Sequence, residues 1–279
     1  MTQVAFTKMH GLGNDFVIVD GRDGDLAIGG TQARAIGDRR RGVGFDQLLI
    51  LEPAKDAAAD LFMRILNPDG SEAEACGNGT RCVAARVMDE LGRDTLNIET
   101  VAGVLATTTG ADGLVTVDMG PANLEWRQIP LAVEADTLHL DIENGPLRDP
   151  VAVNIGNPHM VFFVDDADAI DVAGLGPALE SHPLYPERTN VEICSLSGPD
   201  QLRMRVWERG VGVTLASGSS SCATAVAAAR RGLTGRSVTI DLDGGRLWVD
   251  WHSDGVWMTG PTAHVFSGQL TPAFLKLIT

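Results

Sequence analysis

Cysteine is scarce in this sequence and follows no metal-binding or disulfide pattern. The 279 residues include four cysteines, at positions 76, 82, 194 and 222, with no C-x-x-C pair among them. Zinc sites and disulfide-stapled domains both need cysteines, or cysteines and histidines, at regular spacings. The sequence therefore predicts no metal site and no disulfide framework, and it favours a reducing cytoplasm as the compartment.

Long apolar runs and an excess of positive charge are also missing. No stretch approaches the roughly 18 apolar residues of a membrane span, and the first residues lack the order of segments typical of a signal peptide. Lys and Arg number 22 against 37 Asp and Glu, a formal net charge of -15. Because binding to nucleic acid and anionic lipid depends on neutralising phosphate charges, the sequence predicts neither partner.

Signals for a bound cofactor are few. Lysine occurs only at positions 8, 55 and 276, and none of the three lies in a setting typical of a Schiff base with pyridoxal phosphate. No glycine pattern of the Walker or dinucleotide-binding type is present. We therefore expect the protein to work without a cofactor.

Many short strand-like runs and two clear helices are what the sequence does contain, which predicts an α+β fold. Residues 4–9 and 16–20 flank a glycine-rich turn and form a predicted hairpin. Helices are predicted at about residues 77–91 and 218–231, each followed by a glycine, and the second has small or apolar residues on every side, typical of a helix enclosed by strands. The basic run at residues 39–41 is interpreted as the last turn of a helix, where cations are favourable.

The two predicted helices begin in related segments, which indicates an internal repeat. Residues 75–80 read ACGNGT and residues 216–221 read ASGSSS, and each segment follows a strand-like run. A strand, a turn of small residues and a buried helix thus occur once per half, with chance similarity of glycine-rich turns as the alternative. The predicted halves are residues 1–120 and 121–265, joined near a proline-rich stretch, and residues 266–279 are expected to return to the first half.

Cys76 is the first candidate for chemistry, because it stands at the predicted N-terminus of a helix. The first backbone N–H groups of a helix have no intrahelical acceptors, so they attract anions and lower the pKa of a thiol placed there. A thiol that titrates near neutral pH can accept a proton in one form and donate it in the other. The alternative, a small buried hydrophobic residue, is equally common for a lone cysteine and stands as the interpretation of Cys82, Cys194 and Cys222.

Polar residues in or beside turns form a second group of candidates. Four asparagines lie in the segments GLGNDF, ILNPDG, GNPHM and PERTNV, at Asn14, Asn67, Asn157 and Asn190. Asparagine is common in turns for its local bonding, so each alone indicates structure more often than function. Glu208 and Arg209 offer one charge of each sign near the second helix, with an ordinary surface ion pair as the alternative.

Six segments, in this order and spacing, resemble the diaminopimelate epimerase family over nearly the whole chain. They are residues 10–16 (HGLGNDF), 67–72 (NPDGSE), 75–82 (ACGNGTRC), 156–159 (GNPH), 186–190 (PERTN) and 208–212 (ERGVG). The resemblance implies two pseudo-symmetric halves, each a barrel-like set of mostly antiparallel strands around a central helix, with the site between them. It also implies a homodimer and a small-molecule substrate, diaminopimelate.

The resemblance implies a specific reaction, the conversion of LL-diaminopimelate to meso-diaminopimelate, which supplies lysine and peptidoglycan. Two cysteines invert one α-carbon without pyridoxal phosphate: one removes the α-proton as a thiolate and the other returns a proton as a thiol. Carried over by motif, Cys76 is one of these two groups, and His159 is an auxiliary residue. The implied substrate contacts are Asn14, Gln47, Asn67, Gly77, Asn78, Asn157, Asn190, Glu208, Arg209, Gly218 and Ser219.

Ser217 departs from the family pattern, because it stands where the second catalytic cysteine is expected. The pKa of a serine hydroxyl lies far above that of a thiol, so serine is rarely a competent base without a neighbouring one. Since general acid–base groups contribute about 10²- to 10⁴-fold, epimerisation is expected to fall by at least that order. Cys222 lies more than a turn further along the helix and cannot replace the missing thiol.

Three explanations of Ser217 remain open. An engineered cysteine-to-serine change in a working epimerase is favoured, because the other motifs are intact. A natural one-cysteine relative with one-sided chemistry, such as dehydration of a hydroxylated amino acid, is the second. The third is a non-catalytic protein that binds an amino acid. Val213, where many relatives have glutamate, is a lesser departure from the pattern.

Overall fold

Short strands make up most of the structure, a computed structural model that describes residues 3–24, 26 and 28–277. Strands β1 to β8 are Val4–Gly11, Asn14–Asp20, Gln47–Glu52, Leu61–Leu66, Glu72–Ala73, Thr95–Thr100, Gly103–Thr109 and Val115–Asp118. Strands β9 to β19 are Glu143–Asn144, Leu147–Arg148, Val151–Asn154, Pro158–Phe163, Asn190–Gly198, Gln201–Glu208, Gly212–Thr214, Ser237–Leu242, Gly245–Trp251, Val256–Gly260 and Ala263–Leu270. Helices α1 to α5 are Gly30–Gly37, Gly77–Leu91, Val172–Glu180, Gly218–Arg230 and Pro272–Leu277. No helix in the described ranges is long and apolar enough to cross a membrane.

The chain divides into two compact units. Unit 1 comprises Met1–Val117 and Pro261–Thr279, and unit 2 comprises Asp118–Gly260. The sequence places the corresponding boundaries after residue 120 and before residue 266. The proline-rich stretch 121–150 packs within unit 2, where Asn123 forms a β-bridge with Asn154 and the backbone N–H of Ala152 donates to the carbonyl of Thr137.

Unit 1 is a sheet of mixed direction. Strands β1 and β2 are antiparallel, β2 and β3 parallel, and β3 and β4 antiparallel. The free side of β4 is shared, because β5 pairs with its last residues in antiparallel direction and β6 with its first residues in parallel direction. Strands β6, β7 and β8 then continue as antiparallel pairs.

Unit 2 repeats this order strand for strand. Strands β11 and β12 are antiparallel, β12 and β13 parallel, and β13 and β14 antiparallel. The side of β14 is shared by antiparallel β15 and parallel β16, and β16, β17 and β18 continue as antiparallel pairs. Helices α2 and α4 follow the equivalent short strands β5 and β15. The internal repeat predicted from the two helix starts is thus an α+β topology of two pseudo-symmetric halves.

The two predicted helices begin and end at or within one residue of the predicted positions. Helix α2 begins after Cys76 and ends at Gly92, whose φ of 62° lies in the left-handed region that glycine adopts at low cost. Helix α4 ends one residue earlier than predicted, at Arg230. It packs against β11, β12, β13, β14, β16, β17 and β18, and its residues 220–228 are buried. A helix surrounded by strands on this scale needs small side chains on every face, which is what this segment carries.

The interpretation of residues 39–41 as the last turn of a helix is wrong. Helix α1 ends at Gly37, because Asp38 has extended backbone (φ −61°, ψ 112°). The Asp38 carboxylate accepts the backbone N–H groups of Arg40 and Arg41, which closes a turn instead. Arg39 therefore lies in this turn, outside the helix, and its guanidinium pairs with two aspartates, Asp15 and Asp46.

Candidate active site

In unit 1, three of the candidate side chains lie at the same end of adjacent strands. Parallel pairing sets Phe16 of β2 opposite Gln47 of β3, and antiparallel pairing sets Leu48 opposite Leu66 of β4. Asn14 begins β2, Gln47 begins β3, and Asn67 follows the last residue of β4. The strand register therefore gathers Asn14, Gln47 and Asn67 at one edge of the sheet.

Gln47 and Asn67 are in direct contact. The side-chain amide of Gln47 donates to Asn67 Oδ1 at 3.2 Å, and Asn67 Nδ2 donates to Ser71 Oγ at 3.0 Å. The backbone of Asn67 also closes the turn that follows β4, because its N–H donates to the Ser71 carbonyl and its carbonyl accepts from Gly70. Asn67 is thus held in a turn and still presents a polar side chain beside Gln47.

Cys76 is the N-terminal cap of α2, as predicted. Its Sγ accepts a hydrogen bond from the backbone N–H of Gly79 at 3.3 Å, and its side chain is partly exposed. A Cβ at position 79 would lie 3.1 Å from Leu49 Cδ1 and 3.4 Å from the sulfur, so glycine allows the N–H to approach. An N–H donor stabilises the thiolate form, which favours an acid/base role for this thiol.

Asn14 and Asn78 also lie beside the thiol in unit 1. Asn78, on the first turn of α2 after Gly77, is buried, and its Nδ2 donates to Asn14 Oδ1 at 3.3 Å. The same Asn14 oxygen lies 4.0 Å from Cys76 Sγ. The structure therefore brings three predicted site residues, Asn14, Cys76 and Asn78, into one cluster.

Unit 2 gathers its candidates in the same way. His159 on β12 lies opposite Asn190 on the parallel strand β13, and Val191 lies opposite Trp207 at the end of β14. Asn157 immediately precedes β12, and Glu208 is the last residue of β14. These strand ends are the counterparts of those that hold Asn14, Gln47 and Asn67 in unit 1.

His159 is fully buried between two polar partners. Its Nδ1 lies 2.7 Å from Glu192 Oε1, and its Nε2 lies 2.7 Å from Asn157 Oδ1. Glu192 is likewise fully buried. A carboxylate beside one ring nitrogen fixes the proton on that nitrogen and the orientation of the ring. Glu192 is a site residue that the sequence did not reveal, because nothing local marks one glutamate in a strand as the partner of a histidine.

The side chain of Asn190 connects the backbone at Pro158 with the backbone at Arg209. Asn190 Nδ2 donates to the Pro158 carbonyl at 3.0 Å, and Asn190 Oδ1 accepts the backbone N–H of Arg209 at 2.9 Å. The Arg209 guanidinium donates to the Glu187 carbonyl at 3.1 Å. Among the described ion pairs, Glu208 and Arg209 do not pair with each other, so the surface ion pair considered as the alternative is absent there.

Glu208 accepts hydrogen bonds from two hydroxyl groups. One comes from Thr214, and the other from Ser217 at 3.1 Å. Burial of the carboxyl group raises the pKa of Glu208, although both hydroxyls lower it. Ser217 is buried and is the N-terminal cap residue of α4, but its side chain forms no capping hydrogen bond, in contrast to Cys76. Gly218 and Ser219 form the first turn of α4.

We expect Glu208→Gln to make the protein more stable at pH 7. A carboxyl group whose pKa is raised in the folded state binds protons more readily there, so its ionisation at higher pH lowers the free energy of unfolding. The gain should disappear below about pH 4, where the carboxyl group is protonated in both states. Urea titrations at the two pH values measure this difference, with the exposed Glu143→Gln as the control. Lower stability of Glu208→Gln at pH 7 would contradict the expected sign.

Solved structures define the class of fold. A hydroxyproline epimerase from Agrobacterium vitis matches with a TM-score of 0.69 and 18% identity, covering 97% of this chain and 94% of that chain. A PhzF-family phenazine biosynthesis protein from Bacillus anthracis matches with a TM-score of 0.66 and 16% identity, covering 97% of this chain and 100% of that chain. The chain therefore has the α+β fold of these proteins.

Sequence comparison identifies the family within that class. The family model for diaminopimelate epimerase matches residues 6–125 and 151–265. A diaminopimelate epimerase from Rhodospirillum centenum is 60% identical over 271 residues, covering 97% of this chain and 93% of the relative. This chain belongs to the diaminopimelate epimerase family, as the six segments predicted.

Proposed function

We propose that the protein converts LL-diaminopimelate to meso-diaminopimelate without a cofactor, and that Ser217 makes this conversion slow. The observation that carries the proposal is Cys76 at the start of α2, with the Gly79 N–H directed at its sulfur. Family membership over most of the chain supports the substrate and the reaction. The chain is then an isomerase that acts on an amino acid.

Cys76 would supply the first proton transfer. As a thiolate it takes the α-proton, and the electron pair of the broken C–H bond passes to the α-carbon and its carboxylate. The backbone N–H groups of Gly77 and Asn78 point out of the start of α2, and those of Gly218 and Ser219 point out of the start of α4. N–H groups and helix dipoles of this kind stabilise a carboxylate on which negative charge develops.

Ser217 would return the proton on the other face of the α-carbon. Its Oγ lies 3.1 Å from Glu208 Oε2, and the raised pKa of Glu208 keeps a larger protonated fraction available at a given pH. A protonated Glu208 can donate to Ser217 Oγ, which leaves the serine proton for the carbanion and supplies the proton that replaces it. A hydroxyl can give a proton to a carbanion and be reprotonated by a neighbouring acid, whereas removing an α-proton through the same hydroxyl needs an alkoxide. The Ser217–Glu208 pair therefore favours slow inversion over complete loss of activity.

The remaining polar residues would bind the amino and carboxylate groups of the substrate. Arg209 suits a bidentate carboxylate contact, and His159, fixed by Glu192, is an auxiliary residue. The proposed substrate contacts are Asn14, Gln47, Asn67, Gly77 and Asn78 in unit 1 and Asn157, Asn190, Glu208, Arg209, Gly218 and Ser219 in unit 2. The side chain of Asn190 already bridges two backbone groups, so a positioning contribution is expected from it.

Hydrogen exchange at the α-carbon tests the proposal. We expect the protein in D₂O to exchange the α-hydrogen of one stereoisomer much faster than it inverts the centre, because Cys76 works alone on its face. Proton NMR of LL- and meso-diaminopimelate measures both rates on the same sample. Inversion as fast as exchange would contradict the one-sided impairment. Tight binding with no exchange would indicate a binding protein, and loss of water from a hydroxylated amino acid would indicate a dehydratase.

We also propose that the protein is cytoplasmic and forms a homodimer. The four cysteines, all among the described residues, form no disulfide, which suits a reducing compartment, and the dimer follows from the family resemblance. Sedimentation velocity at micromolar concentration distinguishes a dimer from a chain of 29.5 kDa.

A further inference from the structure

The side-chain amide of Asn14 faces different groups at its two ends. Its Nδ2 lies 2.9 Å from Asp46 Oδ2, and its Oδ1 lies 3.3 Å from Asn78 Nδ2 and 4.0 Å from Cys76 Sγ. An ionised carboxylate only accepts hydrogen bonds, so the NH₂ end of Asn14 must face Asp46. The oxygen of Asn14 is thereby directed toward the thiol.

In this orientation, one neighbour of Cys76 favours its thiolate form and another favours its thiol form. The Gly79 N–H at 3.3 Å favours the thiolate, whereas the Asn14 oxygen favours the thiol, because it can accept from S–H and repels a negative sulfur. A residue that acts as a base in one step and as an acid in another needs both forms accessible near the working pH. If the Asn14 amide were reversed, two N–H donors would face the sulfur and the thiolate would be favoured.

Asp46 is itself held from several directions. Its Oδ2 also accepts the backbone N–H of Asp15 at 3.0 Å, and its Oδ1 accepts from Arg39 Nη2 at 2.7 Å. The backbone N–H of Asp46 donates to the Asp15 carbonyl at 2.8 Å. Arg39 also pairs with Asp15, which Lys8 contacts from the other side. Burial raises the pKa of Asp15, but its bonds to Arg39 and Lys8 outweigh that effect and bring the pKa to about 2.

We propose that Asp46 is a positioning residue that fixes the orientation of the Asn14 amide and so keeps a hydrogen-bond acceptor, rather than a donor, against the Cys76 thiol. The importance of that thiol rests on the proposed function. Its reactivity toward an alkylating reagent does not, so the test is independent of turnover. The other three cysteines will not interfere, because Cys82, Cys194 and Cys222 are fully buried, and burial raises the pKa of Cys82 to about 12.

The test is the pH dependence of Cys76 alkylation by iodoacetamide, followed by mass spectrometry, in the parent and in Asp46→Asn. The new side chain has nearly the same shape but can donate, so the Asn14 amide can reverse and turn its NH₂ group to the sulfur. We expect the midpoint of the alkylation profile to move to lower pH by about 0.5 to 1 unit, because a hydrogen bond to the charged form lowers a pKa. An unchanged midpoint would overturn the proposal.

A double-mutant cycle separates orientation from charge, since Asp46→Asn also removes a negative charge. In the background Asn14→Leu, which has no amide to reverse, the same substitution should move the midpoint by much less. An equal shift in both backgrounds would show that only the charge of Asp46 matters and would reject the positioning role. Asp89→Asn removes an exposed charge from the other end of α2 and should leave the midpoint unchanged. Circular dichroism of each variant verifies that the fold is retained.

Discussion

Ser217→Cys is expected to raise the rate of inversion of diaminopimelate by about 10²- to 10⁴-fold, the usual contribution of a general acid–base group. Two features of position 217 suit a thiol. It precedes α4 as Cys76 precedes α2, and its side chain lies 3.1 Å from a Glu208 oxygen. A sulfur at the start of a helix titrates at lower pH than an ordinary thiol, so it can act both as base and as acid.

Coupled assays or polarimetry with LL- and meso-diaminopimelate measure the gain. Ser253→Cys is the matched control, because it adds an exposed thiol to a turn of unit 2 and should leave the rate as it was. The exchange experiment gives a second readout: in Ser217→Cys, α-hydrogen exchange should become comparable for the two stereoisomers. A rate that stays within a factor of a few of the parent would show that Ser217 and Glu208 already form a competent pair.

The elements that begin and end on local signals could be predicted from the sequence. Helix α2 matches residue for residue, because Cys76 with Gly79 three positions later and Gly92 at the other end act through adjacent backbone groups. The internal repeat could also be predicted from local signals, because each half has a turn of small residues immediately before its buried helix.

Contacts between distant segments could not be predicted in this way. Arg39 was assigned to a helix terminus because its sequence neighbours are basic, but its partners Asp15 and Asp46 come from β2 and from the residue before β3. Glu192 and His159 are 33 positions apart and meet only because β12 and β13 are parallel. Thr214 and Glu208 are only 6 positions apart, but they meet only because β15 turns back on β14. The pairs of Glu192 with His159 and of Thr214 with Glu208 depend on strand pairing, and those of Arg39 depend on the turn after α1. No single segment specifies either.

Cys76→Ser is expected to lower α-hydrogen exchange by at least about 10²-fold for the stereoisomer that the parent exchanges. Serine is a good helix cap, so α2 should still begin at the same residue and the loss can be assigned to the missing thiol. The remaining cysteines cannot substitute, because each is fully buried. Cys82→Ala, on the same helix, is the control that should retain exchange. Proton NMR in D₂O measures it, and exchange at the parent rate in Cys76→Ser would exclude this thiol as the base.

A more specific test combines Cys76→Ser with Ser217→Cys in one chain. If the starts of α2 and α4 hold equivalent acid/base groups, a chain with serine at 76 and cysteine at 217 should exchange the stereoisomer that the parent leaves almost untouched. Exchange would then change its stereochemical preference while inversion stays slow, because each single-cysteine chain has one competent base. Neither a structural cysteine nor a simple binding protein predicts such a reversal, so its absence would remove the two-base interpretation of the repeat.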